Sequence, residues 1–437
     1  MNPLPGVLPD WDPVRVRGKV TKIVGLILEG SCPEATLGSL CEVSPLRGHP
    51  PILAEVVGFR ENTALLMPLG EMQGLGVGSA IRVLGMDASI AVGPALLGRV
   101  VDALGRPVDG LQPLHLSDRQ PLYQSPPGPM DRSQISDILD LGVRPINGLL
   151  TCGRGQRMGI MAGSGVGKSV LLGMMARNTQ ADVNIIALIG ERGREVREFM
   201  EHDLGESGLG RSVVVTATSD QSPLLRMRGA FTAMALAEYF CGQGKHVLLM
   251  MDSVTRFAMA IREIGLAVGE PPTTKGYTPS VFSNLPKLLE RAGNFLGMGS
   301  ITGLFTVLVD GDDMNEPVAD AVRSILDGHV VLSRPLAAKG HYPAIDVLQS
   351  ISRLMQRLVD AEHLQLSRRI REILTVYREQ EDLINIGAYK QGSNPKIDTA
   401  LQFIDPVNAF LQQDLTEQAS FAQTGEAMRA VFGGEAA

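Results

Sequence analysis

Short runs of alternating apolar and polar residues, cut by Gly and Pro, fill the N-terminal part of the chain. Between residues 14 and 84 they include VRVRGKVTKIVGLILEG, ILAEVVGF, NTALLMPL and SAIRVLG. An alternation of period two indicates strands that bury one face, and several short strands between turns are typical of a small β-barrel or sandwich. Four prolines among the first 13 residues disfavour a helix and predict an extended arm. We therefore expect an arm and a β-barrel over residues 1–84.

Strand-like and helix-like runs alternate in the middle of the chain, from residue 148 to about residue 354. The runs VNIIALIG, SVVVTAT and HVLLMMD are continuously aliphatic or β-branched, which suits strands buried on both faces. Helical stretches such as SVLLGMMARNT lie between them, so the pattern predicts a parallel sheet covered by helices. Residues 85–147, rich in Gly and Pro, are interpreted as a connector wrapped on this domain. The central domain is accordingly assigned to residues 85–354.

The periodicity becomes helical after residue 354. The stretch LMQRLVDAEHLQLSRRIREILTVYREQEDLI and a second one near residues 397–415 place apolar residues at helical spacing. A helical C-terminal domain is therefore expected over residues 355–437. The predicted fold is α/β at its centre, with a small β-barrel before it and helices after it.

Composition and charge then narrow the class of protein. The 437 residues are 44% hydrophobic and 20% charged, as in soluble globular proteins. A formal net charge of -7 argues against a surface that binds nucleic acid. The chain starts with no signal-peptide pattern and has no apolar run long enough to span a bilayer, so a cytoplasmic protein is expected. The four cysteines are too scattered for a disulfide framework or a zinc site and are expected to be buried thiols: Cys32, Cys41, Cys152 and Cys241.

The strongest chemical signal is a glycine-rich segment between a strand-like run and a helix-like run, AGSGVGKS at residues 162–169. It departs from the phosphate-loop pattern only at its first position, where Ala162 replaces glycine. Its glycines let backbone N–H groups surround phosphate oxygens, Lys168 supplies a charge for the β- and γ-phosphates, and the Ser169 hydroxyl can ligate Mg²⁺. A turn formed only for packing is the alternative, which the Gly-Lys-Ser register disfavours. The predicted nucleotide-binding residues here are Ala162, Gly163, Ser164, Gly165, Val166, Gly167, Lys168, Ser169 and Val170.

Two other strand-like runs lead to a carboxylate. HVLLMM ends in Asp252, which suits the acid that holds Mg²⁺ through water, although a helix cap is an equal alternative if the residue is taken alone. VNIIALIG is followed by Glu191 and Arg192. A carboxylate beside the phosphate loop can polarise the attacking water, and the arginine can bind the terminal phosphate. A surface charge cluster that opens a helix is the alternative, and it fits Arg194 and Glu195 better than Glu191.

The motifs described above, together with other stretches of the chain and in the order in which they occur, resemble the type III secretion ATPases. The resemblance is strongest to the flagellar protein-export ATPases, which are similar to the α and β subunits of F-type ATP synthases. The resemblance covers the chain from about residue 14. It implies a RecA-like core, ATP and Mg²⁺ as cofactors, and a homohexameric ring. The stretches that carry it include AGSGVGKS, GERGREVREF, MDSVTRFAMAIREIG, GEPPTTKGYTPSVFSNLPKLLERAG, VLVDGDDMNEP, RSILDGHVVLSR, GHYPAIDVLQSISR and INIGAYKQGSNPKID.

The same resemblance implies roles for single residues. Glu191 matches the catalytic glutamate, which is glutamine in noncatalytic ring subunits, and Arg192 matches the adjacent phosphate-binding arginine. Arg353 matches an arginine finger that reaches the neighbouring subunit's nucleotide, with an ion-paired helix residue as the alternative. Tyr342 matches an aromatic residue that lines the adenine pocket. Phe410 matches a second adenine contact only loosely, and an ordinary core position is the expectation for it.

The resemblance also implies partners. Residues 310–317, DGDDMNEP, match a loop that faces the central pore and contacts a coiled-coil stalk protein, whereas a solvated acidic turn is the alternative. Family members usually begin with a longer helical extension that docks an export regulator or stator protein. Here a short proline-rich arm precedes the barrel, so either part of that extension is missing or the docking differs. Export-gate membrane proteins, substrates and chaperones complete the expected partners, which predicts a location in the cytoplasm, peripheral at the inner-membrane export apparatus.

Three functions compete with flagellar export. An injectisome ATPase shares every catalytic part, but VLVDGDDMNEP and GEPPTTKGYTPSVFSNLP look more flagellar. A catalytic subunit of a rotary synthase would need a heterohexamer, and the export-type stretches GHYPAIDVLQSISR and INIGAYKQGSNPKID argue against it. An RNA-translocating ring of the transcription-termination type is disfavoured by the acidic total and by few aromatic residues (Phe 12, Tyr 6, Trp 1).

Overall fold

The structure is a computed structural model that describes residues 17–85, 88–309 and 313–433. These residues form two compact units. The first comprises the chain up to Ala88 together with Glu263–Glu270, and the second comprises Ser89–Arg262 and the chain from Pro271 onward. The predicted N-terminal arm and residues 310–312 of the predicted pore-facing loop lie outside the described residues. The domain boundaries after residues 84 and 354 stay predictions.

Within residues 17–85, six strands close into the predicted barrel, which is confirmed. In chain order the strands are β1 (Gly18–Val24), β2 (Ile27–Ser31), β3 (Leu40–Ser44), β4 (Ile52–Arg60), β5 (Thr63–Pro68) and β6 (Ala80–Gly85). Around the barrel the order is β1-β2-β5-β4-β3-β6, and β6 closes the circle where Ile81 pairs with Gly18. In β3 every second residue is buried, namely Cys41 and Val43. This matches the alternation in the sequence.

A mainly parallel sheet forms the centre of the second unit, as predicted. Its strands are β8 (Val100–Asp102), β10 (Arg157–Ala162), β11 (Val183–Ile189), β12 (Ser212–Ala217), β13 (His246–Asp252), β14 (Gly293–Asn294), β15 (Ser300–Leu308), β16 (Gly328–Leu332) and β17 (Ile351–Ser352). The order is β17-β16-β10-β15-β13-β11-β12-β8, with β14 paired to β15. Every residue of β11 is buried, as expected of a strand that is covered on both faces. A small separate sheet pairs β7 (Ser89–Val92) with β9 (Asp118–Pro121).

The α-helices connect these strands and follow them. They are α1 (Arg144–Leu149), α2 (Lys168–Asn178), α3 (Gly193–Glu198), α4 (Gly205–Leu209), α5 (Pro223–Gly242), α6 (Val254–Val268), α7 (Pro279–Leu289), α8 (Pro317–Ile325), α9 (Arg334–Ala338), α10 (Met355–Leu358), α11 (Ala361–Asn385), α12 (Pro395–Leu411) and α13 (Phe421–Val431). Among the residues described, none of the helices combines the length and the apolar character that a bilayer span requires.

The predicted helical C-terminus is also present. Asp360 is the N-cap of helix α11, and its side chain accepts a hydrogen bond from the His363 N–H. Helix α13 begins with a capping box at Ser420. Side chains of α11, α12 and α13, such as Ile370 and Val407, belong to the same buried cluster as residues of the central sheet. The C-terminal helices therefore complete the core of the second unit.

Candidate nucleotide-binding site

The phosphate loop joins the end of β10 to the start of α2. Ala162 is the last residue of β10, and α2 begins at Lys168. Gly165 and Gly167 adopt left-handed backbone angles, with φ of 76° and 86°, which residues with a side chain rarely accept. Because Gly167 is the N-cap of α2, the free N–H groups of the first helical turn face the loop. A strand, a loop and a helix N-terminus in this arrangement form a cradle for phosphate.

A cavity of about 610 Å³ opens at this loop. It brings together most of the residues that the sequence predicts for the phosphate end of the site. Val166 and Asp252 are exceptions, since both are buried and neither lines the cavity. The lining consists of Ala162, Gly163, Ser164, Gly165, Gly167, Lys168, Ser169, Val170, Gly190, Glu191, Arg192, Glu195, Ser219, Arg256, Leu308 and Val309.

Lys168 lies between the two carboxylates that were predicted from the strand ends. Its Nζ is 2.6 Å from Asp252 Oδ1 and 3.7 Å from Glu191 Oε1. The Thr306 hydroxyl, on β15, donates a hydrogen bond of 2.7 Å to the same Oδ1 and fixes the orientation of the Asp252 carboxylate. Burial opposes the charge of Lys168, but the two carboxylates outweigh it and raise its pKa. Lys168 therefore stays positively charged at neutral pH.

Glu191 has the chemistry of a group that exchanges protons near neutrality. Its side chain is 18% exposed. Burial and then the charge of Asp252 raise the pKa of Glu191 to about 7, against the opposing influence of Lys168. A carboxyl group with such a pKa can accept a proton from water and release it again under physiological conditions.

Arg256 also lines this cavity, although the sequence interpretation missed it. It lies in the first turn of α6, shortly after Asp252. Gly190 allows its approach, because a Cβ at Gly190 would fall 2.8 Å from the Arg256 Cβ and Cγ atoms. Within the described part of the chain, the buried Arg256 Nε has no hydrogen-bond partner, so the protein leaves this donor unsatisfied. The signal was present in the sequence, since DSVTRF places an arginine one helical turn beyond the strand-end aspartate.

The other two predicted arginines are exposed. Arg192 is at the rim of the cavity, with its side chain 78% exposed and its guanidinium 3.5 Å from Glu195. Arg353 follows the edge strand β17, and its Nη2 donates a hydrogen bond of 3.5 Å to the Arg323 carbonyl. It does not line the cavity of its own chain. The structure therefore leaves Arg353 free to act elsewhere.

A second cavity of about 510 Å³ shares Gly165, Gly167 and Val170 with the first. The predicted base-binding residue Tyr342 lines it, and the Tyr342 ring lies 3.5 Å from where a Cβ of Gly167 would stand. Phe410 is 5% exposed and belongs to the core, as expected from the sequence. The full lining is Gly165, Gly167, Val170, Gly340, Tyr342, Gln412, Gln413, Asp414 and Leu415.

Comparison with known proteins divides the chain into three matching parts. Residues 20–85 match the β-barrel domain of the ATP synthase alpha/beta family, and residues 142–352 match the nucleotide-binding domain of that family. Residues 359–430 match the C-terminal domain of the type III secretion ATPase EscN.

Relatives match over nearly the full chain. The flagellum-specific ATP synthase of Bacillus subtilis (strain 168) is 54% identical over 96% of this chain and 95% of its own length. A type 3 secretion system ATPase of Xanthomonas euvesicatoria is 50% identical over 95% of this chain and 93% of its own length. The solved structure of the assembled ATPase EscN from enteropathogenic E. coli superimposes with a TM-score of 0.90, at 46% identity, and covers 95% of this chain and 99% of that chain.

The fold and these matches define an ATP-hydrolysing enzyme. Within that class, the chain belongs to the type III secretion ATPases of the ATP synthase alpha/beta family. The predicted family and fold are thereby confirmed.

Proposed function

We propose that this chain hydrolyses MgATP at the subunit interfaces of a homohexameric ring and that hydrolysis energises flagellar protein export. The observation that carries the proposal is the position of Lys168 between Glu191 and Asp252 in a cavity at the phosphate loop. A glutamate with a pKa of about 7 suits a subunit that catalyses hydrolysis, because it can activate water.

The side chains of the cavity fit a nucleoside triphosphate with Mg²⁺. Lys168 and the N–H groups that follow Gly167 supply positive groups for the phosphates. Ser169 and Asp252 supply hydroxyl and carboxylate oxygens, which are the hard ligands that Mg²⁺ prefers. Mg²⁺, when bound, neutralises charge on the phosphate oxygens. Lys168 would then turn from Asp252 towards the phosphates, while Thr306 keeps Asp252 in place.

Glu191 is assigned to orient the attacking water and to take its proton. Arg192 and Arg256 line the same cavity and are assigned to the terminal phosphate, where a guanidinium can bind two oxygens at once. Arg353 is assigned to the nucleotide of the neighbouring subunit, since its exposed position leaves it available there. A finger of this kind stabilises charge on the transferring phosphoryl group.

Assembly into a ring is supported by the likeness to the assembled ATPase EscN. The chain also superimposes, with a TM-score of 0.88, on EscN in complex with its central stalk EscO, which supports a stalk protein as a partner of this ring. An export regulator or stator protein, export-gate membrane proteins, substrates and chaperones are proposed from the family resemblance. They would hold the ring in the cytoplasm, peripheral at the inner-membrane export apparatus.

An injectisome is the alternative system for the same motor. Relatives from both systems have similar identity to this chain, with 54% for a flagellar enzyme and 50% for a type 3 secretion system ATPase. Restoration of motility in a strain that lacks its flagellar export ATPase would support the flagellar assignment. Restoration of effector secretion alone, in a strain that lacks its injectisome ATPase, would support the alternative.

The biochemical test is ATP turnover per subunit, measured over a range of protein concentrations. We expect turnover per subunit to rise to a plateau as rings form, because each site needs a residue of its neighbour. Lys168→Ala should stay at background at every concentration, whereas Lys396→Ala, on the exposed side of α12, should match the wild type. Turnover per subunit that does not change with concentration would contradict the interface mechanism. Near-native turnover of Lys168→Ala would contradict the phosphate-loop assignment.

A further inference from the structure

A polar segment between α12 and α13 forms part of the wall of the cavity beside Tyr342. We call this segment, residues 412–420, the strap. Its residues Gln412, Gln413, Asp414 and Leu415 line the cavity together with Tyr342 and the phosphate loop. A nucleotide base that enters this cavity is therefore enclosed by Tyr342 and the strap, and the position of the strap sets the space that the base can occupy.

Gln413 ties the strap to the rest of the site. It is 4% exposed, and its backbone N–H donates a hydrogen bond of 3.0 Å to the Tyr342 carbonyl. Its Nε2 donates hydrogen bonds of 2.9 Å to the carbonyls of Gly142 and Glu417. Its Oε1 accepts one of 2.7 Å from the Arg144 N–H. The amide thus uses two donors and an acceptor at once, a combination that a glutamate or an aliphatic residue cannot supply.

Two arginines hold other residues of the strap. The Arg144 guanidinium donates a hydrogen bond of 2.8 Å to the Gln412 carbonyl and pairs with Glu417. Arg177, near the end of α2, donates a hydrogen bond of 2.8 Å to the Leu415 carbonyl. Because α2 begins at the phosphate loop, this hydrogen bond connects the strap, through α2, to the phosphate loop. The strap is therefore fixed on both Tyr342 and the phosphate-loop helix.

We propose that Gln413 is a positioning residue for base recognition, which holds the strap at the distance from Tyr342 that a purine ring requires. The proposal rests on the proposed function, since the cavity is taken as the base end of an ATP site. The side-chain amide of Gln413 makes its hydrogen bonds within the protein, and Gln413 does not line the cavity that contains Lys168 and Glu191. Its loss should therefore affect the base and spare the phosphate chemistry.

The experiment compares ATP with magnesium tripolyphosphate, which has the phosphates but no base. For Gln413→Ala we expect the KM for ATP to rise about tenfold, as buried groups lose their hydrogen-bond partners. The turnover number and the inhibition constant of tripolyphosphate against ATP hydrolysis should stay within about twofold of the wild type, since the phosphate subsite is unchanged. Asn184→Ala is the matched control, because Asn184 is a fully buried amide that donates to the Ala176 carbonyl and the Ser212 hydroxyl, neither of which belongs to the strap.

A second pair of variants keeps the test decisive if Gln413→Ala does not fold. Gln413→Asn retains the amide but shortens its reach, and Arg177→Ala removes one anchor of the strap from a partly exposed position. Each should raise the KM for ATP about threefold, with tripolyphosphate inhibition unchanged.

The proposal is overturned if the KM for ATP is unchanged in these variants. It is equally overturned if ATP and tripolyphosphate weaken together, or if Asn184→Ala produces the same rise. These results differ from a failure of the proposed function, in which the wild-type protein itself would hydrolyse no ATP.

Discussion

Replacing Glu191 with glutamine should separate the binding of ATP from its hydrolysis. The Glu191 carboxylate lies 3.7 Å from the Lys168 ammonium, in the cavity where the phosphates are proposed to bind. Glutamine keeps the size of the side chain but cannot take a proton from water. Because positioned bases contribute about 10²–10⁴ to a rate, turnover should fall by about that factor. ATP affinity should stay the same or improve, since a negative charge near the phosphates is removed.

The pH dependence gives this prediction a second readout. The pKa of Glu191 is raised to about 7, so its active carboxylate form is gained as the pH rises through that value. An ordinary glutamate would already be ionised there. The kcat/KM for ATP should therefore rise roughly tenfold between pH 6 and its plateau above pH 8, since it reports the ionisation of the free enzyme.

The assay is steady-state ATP hydrolysis at several pH values, together with a titration of nucleotide binding. The residual activity of Glu191→Gln should lack the rise near pH 7. Glu198→Gln is a matched control on α3, because Glu198 is exposed, pairs with Arg194 and does not line the cavity. If Glu191→Gln keeps near-native turnover, or loses ATP binding together with turnover, Glu191 has no catalytic role of this kind.

Two further predictions concern the arginines. Arg353→Ala should lose about 10³–10⁵ in turnover with little change in ATP affinity, and mixing it with Lys168→Ala should restore activity, because some interfaces then combine an intact loop with an intact finger. A mixture that stays inactive, although labelled subunits are seen to exchange, would refute action between subunits. Arg256→Ala should weaken ATP binding roughly tenfold or more, as expected for a lost charged hydrogen bond to phosphate, whereas Arg262→Ala, further along α6, should not. If nucleotide titrations give the same affinity for Arg256→Ala and wild type, Arg256 is not part of the nucleotide-binding site.

The sequence predicted those parts of the fold that depend on local pattern. The run VNIIALI identified β11 because a strand buried on both faces must be apolar throughout. Residues 85–147 were expected to be only a connector, yet they contain β7, β8 and β9, and β8 adds an edge to the central sheet beside β12. Strand β8 has three residues and pairs with residues more than a hundred positions later. Such a short run has no periodicity of its own, and the partner that stabilises it is distant in sequence.

In the candidate site, too, local sequence pattern predicted some residues and not others. Lys168, Asp252 and Glu191 each stand at the end of a strand or the start of a helix, so motif and periodicity together singled them out, and the structure brings their side chains together. The strap could not be located in this manner, because its function depends on contacts between distant residues. Gln413 is 271 positions from Gly142, to which it donates a hydrogen bond, and nothing in FLQQDL marks one glutamine as buried and its neighbour as exposed.

The two ends of the candidate ATP site are built differently. The proposed phosphate end is built on three strands of one sheet, β10, β13 and β11, with β15 between β10 and β13, and the packing of such a sheet resists small displacements. The base end is assembled from Tyr342 and the strap, so its shape depends on where α12 and α13 lie against the sheet. A displacement of these helices should change the affinity for the base before it changes the chemistry at the phosphates. Substitutions around Lys168 should accordingly lower turnover, and substitutions around Gln413 should raise the KM.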